Sequence, residues 1–112
     1  HQLETILLGA SLGRDEDELQ RYHVLTILVR AFRDAHRALH LPDGSYLSET
    51  FVAEARALFD MHTGPGADGL GRRFREAAHV ALDLLACTTI DMCRLEDLEG
   101  LLRDISLHIH YT

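Results

Sequence analysis

Histidine gives this 112-residue chain most of its capacity for side-chain chemistry: there are eight. His36 and His40 stand four positions apart, and His79 and Asp83 repeat that spacing. Residues four apart share a helix face, so each pair would project two ligand-type side chains in one direction. Imidazole nitrogen and carboxylate oxygen suit divalent transition metals, and helical bundles build such sites from side chains on facing helices. His36, His40, His79 and Asp83 are therefore the candidate metal ligands, with Glu54 or Glu76 to complete a shell. The plainer reading of the same residues needs no cofactor. It makes His36 a core histidine with a satisfied ring, and His40 a solvated one near a helix C-terminus, where a cation interacts well with the dipole.

Other patterns are less specific. Gly64, Gly66 and Gly69 have the Gly-x-Gly-x-x-Gly spacing of a dinucleotide loop. A helical pattern precedes them where that motif needs a strand, and no βαβ unit surrounds them. The stretch reads as a flexible connector, although Arg72 and Arg73 behind it would meet a lone phosphate at a helix N-terminus. Arg73 with His79, and Arg30 with His36, fit an Arg-x(4–6)-His spacing. In those two residues, at two places, the chain resembles the HEPN superfamily of small all-α ribonucleases. The resemblance implies metal-free cleavage, with His and Arg acting directly on a phosphodiester. No serine sits in a nucleophile-elbow context and there is no Cys-x-x-Cys. Cys87 and Cys93 read as free thiols of a reducing compartment.

A formal charge of −7 makes nucleic acid or an anionic membrane an unsuitable general partner. No run of about 18 apolar residues exists, so no transmembrane helix is expected. No basic region precedes an apolar run at the start, so no secretory leader is expected. All 11 basic residues are Arg, and Lys, Asn and Trp are absent, as a GC-rich bacterial genome would produce. A cytoplasmic location follows as the expectation.

The elements that must carry these residues are helical. From Leu19, Tyr22, Leu25, Val29, Phe32, His36 and Leu39 recur at steps of three and four; Val24, Leu28, Ala31, Ala35 and Ala38 form a second seam beside them. Two seams predict a long helix over 15–41 contacted from two sides. Asp15 with Glu18 has capping-box spacing at its start. Gln2 to Leu12 reads as a short preceding helix ended by Gly13. Pro42-Asp43-Gly44 predicts a turn. Ser48 caps a helix over Glu49 to His62 with an apolar face of Phe51, Val52, Ala55, Leu58 and Phe59. An alanine-rich helix follows from Arg72 to Thr89. Asp91 would cap a last helix from Met92 to Asp104, burying Leu95, Leu98, Leu101 and Leu102. The tail alternates Ile105, Leu107, Ile109 and Tyr111 with polar residues. That is a strand period, but no second strand exists to pair with it, so helix or coil is expected.

The fold class is thus all-α: one domain over 1–112, a compact bundle of four to five helices around the 15–41 helix. The functional expectation is a regulatory or protein-interaction module that homodimerises, because the apolar helix faces exceed what one small core needs. The alternatives are the metal site above and a small-molecule sensor with an enclosed cavity of roughly 300 Å³ or more.

Overall fold

A computed structural model describes residues 15–64 and 71–111, with side chains described over 20–64 and 71–107. The expected helix over 2–12, Gly66 and Gly69 lie outside these residues. Within them the chain is all-α. Helix α1 spans Asp15–Ala38, α2 Glu49–Thr63, α3 Arg72–Cys87 and α4 Leu95–Tyr111, with a 3-10 turn at Ile90–Met92 before α4. No strand occurs among the described residues; Tyr46 and Arg94 form an isolated antiparallel bridge.

Helix α1 packs against each of the other three α-helices. Its second seam is buried at Val24, Leu28, Ala31 and Ala35, while Ala38 is exposed. In the first seam Leu25, Phe32 and His36 are buried, and Tyr22, Val29 and Leu39 are half-buried. Ile27 belongs to neither seam yet is only 2% exposed. Three neighbours require more apolar circumference than two seams supply. Phe51, Val52, Ala55 and Phe59 bring α2 into the core, and Phe74, Ala78, Ala81, Leu82 and Leu85 bring α3. Ala78 and Ala81 are buried to the backbone, as small residues at a helix contact should be.

Helix α1 ends at Ala38, three residues before the expected end at 41. The Leu41 N–H donates to the His36 carbonyl at 3.2 Å and the His40 N–H to the Arg37 carbonyl at 3.0 Å. These are the paired bonds of a Schellman cap, which places His40 at φ 53. Glycine is the usual occupant of that position, because a side chain there crowds the backbone. Gly44, at φ 77, then turns the chain back, and the Ser45 N–H closes the turn on the Pro42 carbonyl at 3.2 Å. Ser48 is the N-cap of α2 but makes no side-chain capping bond.

The start of α4 corrects the expected cap at Asp91. The Leu47 N–H donates to the Cys93 carbonyl at 2.8 Å, holding Cys93 extended at φ −110 and ψ 145. Residues 90–92 can therefore form only a single 3-10 turn. The α-helix begins after Arg94, whose N–H donates to Asp97 Oδ2 at 2.7 Å. At the other end the tail is helical to Tyr111. Ile105 sits one turn beyond Leu102 and two beyond Leu98 and is fully buried with them, while Leu107 is 51% exposed. The alternation in this tail is thus carried by a helix that buries one face.

Candidate functional site

Helices α1 and α4 run antiparallel. The Tyr22 hydroxyl donates to the Ser106 carbonyl at 3.3 Å, and Arg33 Nε donates to Glu99 Oε2 at 2.5 Å. Contacts therefore advance along α1 as they retreat along α4. Beside this seam lies a groove of about 490 Å³. Its floor is Tyr22, Leu25, Val29 and Leu102, and its rim carries Arg33, Glu96, Glu99 and Arg103. It is an open groove and not the enclosed cavity expected of a small-molecule sensor. Gly100 lies in its wall, and a methyl group added there would meet only Arg103 Nη2, at 3.7 Å. No packing among the described residues requires glycine at this mid-helix position. Glu96, Gly100, Arg103 and Leu107 follow one another at helical spacing along this edge of α4. Among the described residues neither Glu96 nor Arg103 has an ion-pair partner.

The four expected metal ligands do not gather into one set. His36 and His40 both line a second cleft, of about 530 Å³, at the C-terminal end of α1. His79 and Asp83 lie on α3, and each is engaged by α2. Nε2 of His79 is 2.5 Å from Asp60 Oδ1, its ring stands edge-on to Phe59 at 5.9 Å, and Asp83 is paired with Arg56. Among the described residues no three His, Cys, Asp or Glu side chains are grouped to hold a metal ion. Glu76, a proposed completing ligand, pairs with Arg72 at 2.9 Å. Both cysteines are free thiols.

These contacts are rungs of a polar ladder. Arg56 meets Asp83, Asp60 meets His79, and the Thr63 carbonyl accepts from Arg75 Nη1 at 3.2 Å. Each step along α2 matches one step back along α3, so the ladder fixes an antiparallel register. A cleft of about 430 Å³ opens at its last two rungs, lined by Asp60, Thr63, Arg72, Arg75 and His79. The arginines that share this cleft with His79 are thus Arg72 and Arg75. Arg73, the partner in the Arg-x(4–6)-His spacing, stands over the Phe74 ring at 5.1 Å. Asp60 and His79 are 52% and 32% exposed. Asp60→Asn should therefore cost less than about 1 kcal/mol, the range of solvent-screened pairs, read by urea unfolding. A larger loss would mean the rung is far better desolvated than its exposure indicates.

The register of the ladder had a sequence signature. Arg56 and Asp60 place a basic residue one turn before an acidic one, and His79 and Asp83 repeat that order. Antiparallel pairing sets each against its opposite. The groove had no such signal, because its walls lie far apart in the chain.

Among the described residues no helix is long and apolar enough to cross a membrane. No family model, curated protein or solved structure matches the chain.

Proposed function

We propose that this chain is a protein-interaction module that self-associates through the α1–α4 groove, with α4 of a second copy as the occupant. The observation that carries this reading is the pattern on the outer edge of α4. Glu96 lies four residues before Gly100 and Arg103 three after it, opposite in charge and both without an ion pair among the described residues. A two-fold axis at Gly100 sets Glu96 against the partner's Arg103, and Arg103 against the partner's Glu96. Such an interface is self-complementary, as a two-fold dimer must be. Glycine at the crossing lets the two backbones approach closely, and the half-buried Tyr22 and Val29 of the floor gain apolar cover.

Size limits the strength. A helix of 17 residues is roughly 25 Å long and about 10 Å wide. Even with the groove walls it buries less than the roughly 800 Å² per partner of standard interfaces. A reversible, micromolar dimer is the expectation, suited to regulation by concentration. Exposed ion pairs are each worth about 0–1 kcal/mol, so the charges select register more than they supply affinity.

Sedimentation velocity across the micromolar to millimolar range tests this reading. Monomer should give way to dimer. Arg103→Glu should weaken the dimer about tenfold, since symmetry counts the lost pair twice, and adding Glu96→Arg should restore it. A protein that stays monomeric throughout, or an unrestored double variant, refutes the reading.

A further inference from the structure

Arg33, His36 and Arg37 share one edge of α1, His40 follows in the cap beyond the helix end, and all four line the cleft there. Leu41 and Leu95 supply an apolar wall, and Asp43 sits on the rim. Basic residues in a last turn have an ordinary explanation in the helix dipole. Two observations lie outside it. His36 is only 8% exposed and its Nε2 is sealed from solvent with no hydrogen-bond partner, although buried polar atoms are nearly always paired, so the ring must turn to present that nitrogen to the cleft. His40 occupies the left-handed position of the cap, at φ 53, where glycine would be strain-free. Its ring, too, has no hydrogen-bond partner among the described residues. The chain thus keeps two imidazoles at one cleft, one unsatisfied and one on a costly backbone. Backbone strain of this kind gathers at ligand sites.

We infer that this cleft binds a phosphate monoester, with the phosphate held by Arg37, His36 and His40 and the body of the ester against Leu41 and Leu95. The class follows from the donors. Arg33 is committed to Glu99 at 2.5 Å, while Arg37 is only 3.6 Å from Asp34 and 80% exposed, so Arg37 is the arm free to turn to a ligand. One guanidinium and two imidazoles offer donors on several sides, which suits the three terminal oxygens of a phosphate. A carboxylate would be satisfied by the guanidinium fork alone. The negative end of the α1 dipole opposes an anion here. Two of its last carbonyls are occupied by the cap, since those of His36 and Arg37 accept from Leu41 and His40, which weakens that opposition and leaves the side chains to dominate. A metal does not fit, because His36, His40 and Asp43 are not grouped as ligands.

The test is imidazole NMR of the whole chain, titrated at constant ionic strength with phenyl phosphate, inorganic phosphate, acetate and chloride. Both His36 and His40 signals should shift saturably with phosphate in the millimolar range, and at lower concentration with phenyl phosphate. Arg37→Gln should weaken phosphate binding at least tenfold. His40→Gly should raise the melting temperature by a few degrees, because the cap is relieved, and should also weaken phosphate binding. A purely structural His40 would give the first effect without the second. Equal shifts with chloride, acetate binding as tightly as phosphate, no advantage for phenyl phosphate, or an unaffected Arg37→Gln variant would each overturn the assignment. Self-association is read by sedimentation and this site by NMR, so either can fail without the other.

Discussion

Phe51→Ala should cost about 3–5 kcal/mol of folding stability, the range for deleting a buried aromatic ring. The Phe51 side chain is fully buried, on the first turn of α2, and faces Phe32 of α1 with ring centroids 5.7 Å apart and planes tilted by 33°. Removing it forfeits the transfer energy of the ring, leaves a cavity, and strips Phe32 of its aromatic neighbour. A domain of this size has roughly 5–15 kcal/mol to lose, so the variant should be partly unfolded at physiological temperature. Urea unfolding followed by far-ultraviolet circular dichroism gives the number. Leu107→Ala is the control, because that side chain is 51% exposed and should change stability by less than about 0.5 kcal/mol. If both variants cost the same, the ring contact is not where the core is densest.

The second large effect separates folding from association at one residue. Mid-helix glycine is roughly 1 kcal/mol less favourable than alanine, and a methyl group at Gly100 meets nothing closer than Arg103 Nη2 at 3.7 Å. Gly100→Ala should therefore stabilise the chain by up to about 1 kcal/mol in urea unfolding at a concentration where it is monomeric. Gly100→Leu should leave the monomer folded but force two α4 helices apart toward the 8–10 Å axis separation usual for bulkier contacts. The dimer should then weaken roughly a hundredfold, about 2.7 kcal/mol. Stability and dimerisation would move in opposite directions, which a residue serving only the fold would not do. A Gly100→Leu protein that dimerises unchanged would place the crossing elsewhere.

How much of this was legible in the chain depends on range. Helical periodicity reports which face of an element is apolar, and on that it was accurate: Phe51, Val52, Ala55 and Phe59 of α2 are all buried, and Leu58 is half-buried. The end of α1 and the start of α4 were misplaced for different reasons. Apolar spacing runs through Leu39, but a Schellman cap depends on whether the next residue accepts positive φ, and His40 carries no such signal. The delay of α4 to Leu95 is imposed by Leu47, 46 residues away, whose N–H holds the Cys93 carbonyl. Local preference cannot encode a hydrogen bond to a distant loop.

The candidate site divides along the same line. His36 and His40 line one cleft, His36 from α1 and His40 from the cap beyond its end. The spacing of His79 with Asp83 correctly places two side chains on one edge of α3. It does not reveal what stands opposite, and that decided their roles: Asp60 engages His79 and Arg56 engages Asp83. The α1–α4 groove escaped the sequence because it exists only once two distant segments have packed, and its Gly100 looks from sequence like a mere weakness in a helix.

The Tyr22–Ser106 hydrogen bond joins positions 84 apart in the chain. Closing a loop of that length carries an entropic penalty of about 4 kcal/mol beyond its constant part. Helix α4 packs chiefly on α1 among the α-helices, so few other contacts compensate before that closure is made. It should be the last helix to dock during folding and the first to detach, and its amides should exchange with deuterium sooner than those of α2. Any partner that seats on α4 would then slow its departure, so binding would be felt as resistance to local opening.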